Sequence, residues 1–331
     1  MGSLSEILIV GTGALACLFA AHLSAAGVQV GMLGSWREAL EALRGNGVCL
    51  VDEDGKEDCF PVQVYDAEAS QLPPTKLALV LVKSWQTGRA AQQLTGCLEP
   101  GGLALTLQNG LGNREILSGT LGIDHTALGA TTIGAALSEP GKVRLAGPGK
   151  IFLENREPAS PPGLEAAAVL FEQAGFPVEW VSQADSLLWG KLVISAAINP
   201  LTAVLNVPNG ELLRRPSACE LMGAVALEAA AVAAASGITL PYADPVETVK
   251  KVAEATSSNY SSMLQDVRRG APTEIDAICG ALVAAAGAVQ APAPLNRALW
   301  LLVKALVQSS HGRINGRTLS AGRTLSASAP D

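Results

Sequence analysis

Lys191 stands at the start of a thin polar stripe on an otherwise apolar helical segment. Ser195, Asn199 and Thr202 follow it at i+4, i+8 and i+11, so all four side chains share one face of a helix. A helix that is apolar on its other faces is predicted to be buried, and burial lowers the pKa of an ammonium group. A lysine of this kind suits general acid catalysis near neutral pH. The alternative is a structural lysine held in an ion pair.

A second segment has the elements of a dinucleotide site. A short apolar strand over 7–10 leads into a glycine turn, and the helical pattern that follows ends at Gly27. The first glycine permits the tight turn, the second lets the backbone approach a pyrophosphate, and an alanine at the third position allows close packing. A simple turn without a ligand is the alternative. The predicted cofactor-binding residues here are Gly11, Thr12, Gly13, Ala14, Leu15 and Ala16.

The residues after the next predicted strand, 28–33, bear on the choice between the two nicotinamide dinucleotides. An NAD site usually places an acidic side chain there to hold the ribose hydroxyls. This chain has no acid at that point; it has the hydroxyl of Ser35 and the guanidinium of Arg37. Both groups suit a 2′-phosphate, so we predict NADPH or NADP as the cofactor. Alternatively, Arg37 is a solvated residue at a helix start and Trp36 a packing group.

Two further apolar runs, 77–82 and 103–107, predict strands of an open parallel sheet. Lys83 and Asn109 follow these runs directly or closely, at the carboxyl ends where doubly wound sheets bind ligands. We therefore predict both as cofactor residues, although a loop residue of this type is as often structural. The same reading predicts a strand over 151–154, preceded by a hairpin or loop over 140–149.

Strand patterns disappear after Asp185, and alanine-rich helical patterns take their place. We predict an α/β fold with an N-terminal Rossmann-like, doubly wound parallel sheet and a C-terminal all-α domain. At 331 residues the chain is long enough for both domains. The predicted divisions are 1–182 for NADP binding, 183–308 for a helical substrate and dimerisation domain, and 309–331 for a disordered tail.

The composition argues against several classes of partner. A net charge of −7 without a basic cluster argues against nucleic acid. Glu228 interrupts the longest alanine run, so no uninterrupted apolar stretch is expected to reach the roughly 20 residues that span a bilayer. No secretory signal pattern is apparent, and we expect a cytoplasmic protein without a membrane partner. The alanine-rich helices are compatible with a homodimer.

The cysteines and histidines bear on whether the chain has a disulfide, a metal site or a histidine that acts as the catalytic acid. Six cysteines without a CxxC pair predict reduced thiols rather than a disulfide or a metal site. The three histidines, His22, His125 and His311, lie in a helix, a loop and the tail, and none has the context of a dehydrogenase acid. This leaves Lys191 as the candidate proton donor.

Other polar motifs go beyond the generic nucleotide fold. Taken alone, Ser262 predicts a helix cap and Glu274 the first-turn acid of the next helix. Together with the glycine turn and Lys191, these motifs resemble the ketopantoate reductase (2-dehydropantoate 2-reductase) family, in order, over residues 6 to 306. The motifs are Lys83-Ser84-Trp85-Gln86, Gln108-Asn109-Gly110, Asn199-Pro200-Leu201-Thr202, Pro208-Asn209-Gly210-Glu211-Leu212, Ser262-Met263-Leu264-Gln265-Asp266 and Thr273-Glu274-Ile275-Asp276.

The resemblance implies NADPH-dependent reduction of 2-dehydropantoate to pantoate, on the pathway to pantothenate and coenzyme A. It implies that Lys191 donates the proton and that Asn109 touches both cofactor and substrate. It also implies cofactor contacts from Lys83, Glu274 and the backbone of Ala135. The further substrate residues that it implies are Asn199, Asn209, Asn259, Tyr260, Ser261 and Ser262.

The sequence departs from the family pattern at two positions. Ser195 stands where the better-known members have another substrate-binding asparagine, and Ser35 stands near the position of a phosphate-binding arginine. The first departure leaves open a paralogous reductase that acts on another small 2-oxo acid. A 3-hydroxyacid dehydrogenase and a non-catalytic NADP-binding sensor are more distant alternatives.

Overall fold

The computed structural model of the protein describes residues 7–69, 71–155 and 160–315, with side chains up to residue 308. These residues form two compact units. The first unit runs to Leu192 and includes Ile238–Pro241; the second comprises Val193–Gly237 and the chain from Tyr242 onward.

The elements are as follows. The strands are β1 Ile7–Val10, β2 Val30–Gly34, β3 Val48–Val51, β4 Glu57–Phe60, β5 Gln63–Asp66, β6 Thr75–Val80, β7 Leu98–Thr106, β8 Thr126–Thr131, β9 Gly134–Glu139, β10 Lys142–Gly147, β11 Ile151–Glu154 and β12 Val178–Val181. The helices are α1 Ala14–Ala25, α2 Arg37–Asn46, α3 Thr87–Leu94, α4 Asn113–Leu121, α5 Leu164–Gln173, α6 Ala184–Leu205, α7 Pro216–Ala235, α8 Pro245–Ala255, α9 Ser262–Arg268, α10 Ala281–Ala288 and α11 Pro294–Asn315.

The first unit contains the predicted Rossmann-like sheet. Eight strands lie in the order β12-β11-β8-β7-β6-β1-β2-β5. All neighbours pair in parallel except β8 and β11, which run antiparallel. β1, β2 and most of β6 are buried, as expected for apolar strands covered on both faces. The predicted α/β fold class is confirmed, with one antiparallel pairing that the sequence did not predict.

A second sheet of four strands, β4-β3-β10-β9, was not predicted. It packs on α1, the helix that follows the glycine turn. The predicted hairpin or loop at 140–149 is mainly its strand β10, which pairs antiparallel with β9. Strand β4 was not predictable because this short segment, Glu57–Phe60, is polar and largely exposed and lacks apolar alternation.

The prediction that the cysteines carry no disulfide was wrong for one pair. Cys49 on β3 lies opposite Cys59 on β4 in the antiparallel register, and the two form a disulfide. The pairing depends on a hairpin that the sequence did not reveal. Cys17, Cys97, Cys219 and Cys279 are free thiols, as predicted.

The free cysteine nearest the glycine turn is chemically inert. Cys17 on α1 is fully buried, and burial raises the pKa of its thiol to about 12. The thiol therefore stays protonated at neutral pH and acts as a packing group.

One group of possible metal ligands occurs among the residues that the structure describes. It comprises Cys49, Glu57 and Cys59. The disulfide removes both thiolates from this group, and Glu57 already accepts a hydrogen bond from Lys142 at 2.7 Å. These contacts give no reason to assign a metal there.

The second unit is helical, as predicted. Within it, the carboxylate of Glu228 in α7 accepts hydrogen bonds from the backbone N–H groups of Leu295 and Asn296, at 2.9 and 2.8 Å. An anion at this position satisfies the unpaired N–H groups that begin α11. Glu228, which interrupts the alanine run in the sequence, thus joins two helices of this unit.

Two helices of the described chain, α6 and α7, are long and apolar enough by length and composition to cross a membrane. The sequence prediction concerned uninterrupted apolar runs, and both helices contain charged residues, among them Lys191 in α6 and Glu228 in α7. A core helix passes the same test, and 67% of the apolar window of α6 is buried inside the protein, against 39% for α7. This is weak evidence for a membrane span.

The domain divisions differ in detail from the predicted ones. The division between the compact units falls inside α6, whereas the sequence placed it at residue 182. The first turns of α6 belong to the first unit because Ala184 and Leu188 pack with Leu128 of β8. Helix α11 continues to Asn315, into the predicted tail, and residues 316–331 of that tail lie outside the described residues.

Candidate functional site

The strand order brings distant positions to one edge of the large sheet. At or shortly after the carboxyl ends of β8, β7, β6, β1 and β2 lie Thr131, Asn109, Lys83, Gly11 and Ser35. Because β8-β7-β6-β1-β2 are adjacent and parallel, these ends share an edge. In doubly wound sheets, this is the edge that binds ligands.

The two glycines of the turn have different local requirements. Gly11 has a φ of +139°, and a Cβ there would lie 2.9 Å from the carbonyl oxygen of Leu81. Gly13, in contrast, has an ordinary φ of −81°, is exposed, and a Cβ there would meet no atom within 4 Å. The turn therefore requires a glycine at position 11. At position 13, the lack of a side chain leaves open space beside the backbone.

The open space adjoins the N-terminus of α1. Gly13 is the N-cap of this helix, and the first turn contains no acidic residue and no side-chain cap. The first-turn N–H groups of a helix attract anions. Gly13, Ala14, Leu15 and Ala16 thus form a candidate cradle for a pyrophosphate, and its use by a dinucleotide stays a prediction.

The end of β2 is packed against the glycine turn. A Cβ on Gly34 would lie 2.5 Å from Cγ2 of Thr12, so only glycine leaves room for the buried threonine. Ser35 and Arg37 come directly after this contact and are both exposed. They are accessible to a ligand at the turn, while Glu38 follows in the first turn of α2 and Asp66 of β5 lies opposite Gly34.

Lys83 and Asn109 are both partly exposed, and a buried polar network fixes the loops that carry them. The side-chain amide of Gln108 donates to the carbonyl of Val82 at 2.7 Å and to the hydroxyl of Thr87 at 2.9 Å. Asn113 donates to the carbonyl of Asn109 at 3.0 Å. Sequence reasoning missed Thr87 and Asn113, since nothing in their spacing indicates that they meet.

Lys191 is anchored at the same sheet edge. Its Nζ donates to the carbonyl oxygen of Thr131, the last residue of β8, at 2.7 Å. Both residues belong to the first unit. Lys191 is partly exposed rather than buried as predicted. A lysine in this position is both oriented and accessible.

Two of the three histidines are occupied by structural contacts. Nδ1 of His22 lies 3.2 Å from the carbonyl oxygen of Ala174, and Nδ1 of His125 lies 2.9 Å from that of Gly102. His311 has no described side chain. Neither described imidazole lies in the loops at the carboxyl edge.

The polar stripe on α6 is confirmed as a feature of one helix. Ser195 and Asn199 are partly exposed at successive turns after Lys191. Among the neighbouring positions, Ile194 is partly exposed, and the others are buried, namely Leu192, Val193, Ala196, Ala197 and Ile198. Thr202, the last member of the stripe, is fully buried. Its hydroxyl lies 2.7 Å from that of Ser261 and so ties α6 to the segment before α9.

Two of the substrate residues predicted in the second unit, Asn209 and Asn259, are hydrogen-bonded to each other. The backbone N–H of Asn209 donates to the carbonyl of Asn259 at 3.0 Å, and its side-chain nitrogen donates to Thr256 at 2.9 Å. The side-chain oxygen of Asn209 is buried and has no hydrogen-bond partner. A buried acceptor without a donor costs free energy, which a bound hydroxyl could recover.

The segment 259–262 differs from its prediction in one detail. Ser261, not Ser262, is the N-cap of α9, because its hydroxyl accepts the N–H of Leu264 at 3.1 Å. Ser262 is exposed in the first turn. The ring of Tyr260 is also exposed, and the guanidinium carbon of Arg268 lies 4.1 Å from its centroid.

Two predicted cofactor residues do not belong to the large sheet. Ala135 is on β9 in the four-stranded sheet, opposite Leu145. Glu274 belongs to the second unit and is buried. It lies outside the helices, just before the π-helical turn Asp276–Gly280, so it is not the first-turn acid that the sequence predicted. Asp276 has that position.

Both units match one protein family. Residues 7–158 match the family Ketopantoate reductase PanE/ApbA, and residues 183–307 match Ketopantoate reductase PanE/ApbA C terminal. A 2-dehydropantoate 2-reductase of Halobacterium salinarum is 33% identical over 299 residues, covering 90% of this chain and 98% of that protein. The 2-dehydropantoate 2-reductase of Archaeoglobus fulgidus is 35% identical over 303 residues, covering 90% and 97%.

Solved structures agree with this assignment. A PanE/ApbA family ketopantoate reductase from Ralstonia eutropha JMP134 aligns with a TM-score of 0.83 at 30% identity, covering 92% of this chain and 99% of that one. D-mandelate dehydrogenase with NADH and anilino(oxo)acetate aligns with a TM-score of 0.86 at 24% identity, over 92% and 99% of the two chains, a likeness of fold. The chain therefore belongs to the ketopantoate reductase family of oxidoreductases.

Proposed function

We propose that the protein reduces 2-dehydropantoate to pantoate with NADPH, on the route to pantothenate and coenzyme A, in the cytoplasm. The observation that carries the proposal is the anchoring of Lys191 on the carbonyl of Thr131, at the sheet edge that also carries Gly11, Lys83 and Asn109. One edge thereby holds a candidate proton donor and a candidate dinucleotide cradle.

The residues at that edge fit a nicotinamide dinucleotide. Gly13 leaves space for a pyrophosphate at the start of α1, and Lys83 offers a positive charge after β6. Bound NADPH would supply the hydride that reduces the 2-oxo carbon. Ser35 and Arg37 would hold its 2′-phosphate, since a hydroxyl and a guanidinium both donate hydrogen bonds to phosphate oxygens.

Lys191 would act as the general acid. Its Nζ would give a proton to the oxygen that gains charge as the carbonyl is reduced, so the alkoxide never accumulates. The Thr131 carbonyl holds the ammonium in place, and Thr131 is itself fixed because its hydroxyl donates to the carbonyl of Lys150 at 3.0 Å. The structural contacts of His22 and His125 support the choice of lysine.

The substrate would be held by amides and hydroxyls rather than by a second charge. Asn199 is one helical turn from Ser195 and two from Lys191, a spacing that suits a small molecule lying along this face. In the second unit, the unpartnered oxygen of Asn209 is an acceptor for a substrate hydroxyl. Asn109, Asn259, Tyr260, Ser261 and Ser262 complete the proposed set of contacts, and Glu274 and Ala135 that of the cofactor.

The test is NADPH oxidation, followed by absorbance, with a panel of 2-oxo acids. The panel contains 2-dehydropantoate, the same acid without its hydroxyl (2-oxo-3,3-dimethylbutanoate), pyruvate and phenylglyoxylate. We expect turnover selective for 2-dehydropantoate, because a buried acceptor discriminates against an analogue without the hydroxyl. Faster turnover of another member would assign the protein to a related 2-oxo acid, as the serine at 195 allows. Absence of turnover on every member would overturn the proposal.

A further inference from the structure

A chain of buried side-chain hydrogen bonds connects the loops after β6 and β7. Four side chains take part, and we call them the relay: Thr87, Thr106, Gln108 and Asn113. Each is at most 7% exposed, so water does not compete for their polar groups. Buried polar groups of this kind stabilise one arrangement when all are satisfied.

The side-chain hydrogen bonds of the relay follow one another in donor-to-acceptor order, from Thr106 to Asn113. Thr106 donates its hydroxyl to the side-chain oxygen of Gln108 at 2.9 Å, which fixes the orientation of that amide. The amide nitrogen then donates to the Val82 carbonyl and to the Thr87 hydroxyl. Thr87 donates in turn to the side-chain oxygen of Asn113 at 2.9 Å. Asn113 ends the chain by donating to the carbonyl of Asn109.

The two ends of the relay are next to the candidate site. Val82 precedes Lys83, and Asn109 is itself the last acceptor. Both belong to the first unit, as do all four members of the relay. Thr87 is the central member, because its one hydroxyl accepts from the β7 loop and donates to the start of α4. Without this hydroxyl, the side-chain amides of Gln108 and Asn113 each lose one hydrogen bond.

We propose that the relay is a positioning device that sets Lys83 and Asn109 for cofactor and substrate. The relay members touch no ligand themselves; they act through the two loops. This inference rests on the proposed function for its turnover readout, but the binding of NADPH tests it independently. Displacement of a reacting group by about 1 Å can cost about 10²-fold in rate, so a rigid connection of this kind matters for catalysis.

The experiment compares Thr87→Val with two matched controls. Valine keeps the shape of threonine and removes its hydroxyl. Thr87→Ser keeps the hydroxyl, and Thr75→Val removes another buried hydroxyl, at the opposite end of the β6 segment, which donates only to Leu77 at 3.1 Å. For each variant we would measure the Kd of NADPH by nicotinamide fluorescence, kcat and KM for 2-dehydropantoate, and Tm.

We expect Thr87→Val to raise the Kd of NADPH and to lower kcat/KM, each by about tenfold. Thr87→Ser and Thr75→Val should stay within about twofold of the wild type in both quantities, even where Thr75→Val lowers Tm as much as Thr87→Val does. If Thr87→Val and Thr75→Val changed the Kd of NADPH and kcat/KM equally at equal Tm, the relay would be only a stabilising network. That result would overturn the proposal.

A double-mutant cycle with Asn109→Ala tests the connection itself. If Thr87 acts through the Asn109 loop, Thr87→Val should lower kcat/KM by less than about threefold once the Asn109 side chain is gone. Full additivity of the two substitutions would contradict the proposal. A wild type inactive on every 2-oxo acid would defeat the proposed function only, because the NADPH affinities would still decide the role of the relay.

Discussion

The proposed preference for NADP rests on Ser35 and Arg37, which follow β2 at the point where an NAD site usually has an acidic side chain. Ser35 is exposed beside the packed contact of Gly34 and Thr12. We expect Ser35→Asp to weaken NADPH binding by about tenfold or more, because a carboxylate repels the 2′-phosphate, and to favour NADH relative to it. The Kd of each dinucleotide, measured by fluorescence titration, checks this. Ser35→Asn is the neutral control, and an unchanged NADPH affinity in the aspartate variant would refute the phosphate site.

Residue types and spacing were sufficient to predict where several residues of the candidate site lie on their helix. The Lys191, Ser195 and Asn199 stripe was predicted because helical periodicity alone places these residues on one face, and they are partly exposed between buried neighbours. The contact between Lys191 and Thr131 was not predictable, since it joins residues 60 positions apart. The hydroxyl of Thr87 was missed for the same reason, as its two partners come from other loops.

At the level of elements, Gly11 and Gly13 are expected to have different roles: Gly11 in the conformation of the turn and Gly13 in the binding of the dinucleotide. We expect Gly11→Ala to lower Tm and NADPH affinity together, because the backbone at φ +139° and the Leu81 carbonyl both oppose a side chain. Gly13→Ala should leave Tm nearly unchanged, since a Cβ there meets nothing within 4 Å, and should lower NADPH affinity by obstructing the pyrophosphate. Thermal unfolding and NADPH titration of both variants check this, and a Gly13→Ala protein with wild-type affinity would show that the cradle is elsewhere.

The disulfide between β3 and β4 can be tested by counting free thiols. Thiol titration of the denatured protein without reductant should find four free cysteines, and six after reduction, because Cys49 and Cys59 are joined in a disulfide. A Cys49→Ser, Cys59→Ser double variant should titrate the same four thiols with and without reductant. Six free thiols in protein purified under non-reducing conditions would contradict the disulfide.

The elements that were predicted are those with strong periodicity. β1, α1 and β2 follow from an apolar run, a glycine turn and a helical pattern, and buried strands fit their continuous apolar sequence. The four-stranded sheet was missed because its strands are short and β4 is polar, so only pairing with β3 and β10 makes it a sheet. The cap of α9 was misplaced by one residue because Ser261 and Ser262 are equally good caps by type.

At the scale of the whole molecule, cofactor and substrate contacts are proposed in both compact units, and amide hydrogen exchange can assign each ligand to its segments. We expect NADPH alone to protect the turn Gly11–Ala16 and the loops after β6 and β7, in the first unit. Pantoate, the proposed product, should protect the segments around Asn209 and 259–262 in the second unit. Peptides from β4 serve as the internal reference. Protection by NADPH confined to the second unit would contradict the assignment of the cradle.

The presence of two units was predictable from the sequence, but the point within α6 where the contacts divide them was not. The change from strand patterns to alanine-rich helices indicated two units, and the sheet and the helical region follow that change. The division lies within α6 because the first turns of that helix pack on β8, and a sequence pattern does not distinguish which neighbour a buried face will meet.

The proposal depends most on Lys191, and the direct measurement is steady-state reduction of 2-dehydropantoate by the wild type, Lys191→Ala and Lys191→Arg, with the Kd of NADPH measured alongside. We predict that Lys191→Ala lowers kcat by about 10²-fold or more and leaves the Kd of NADPH within about twofold, because proton donation is lost and the cradle is intact. Lys191→Arg retains the charge but is a poor proton donor, so it should also be slow. Unchanged turnover in Lys191→Ala would remove this lysine from the mechanism.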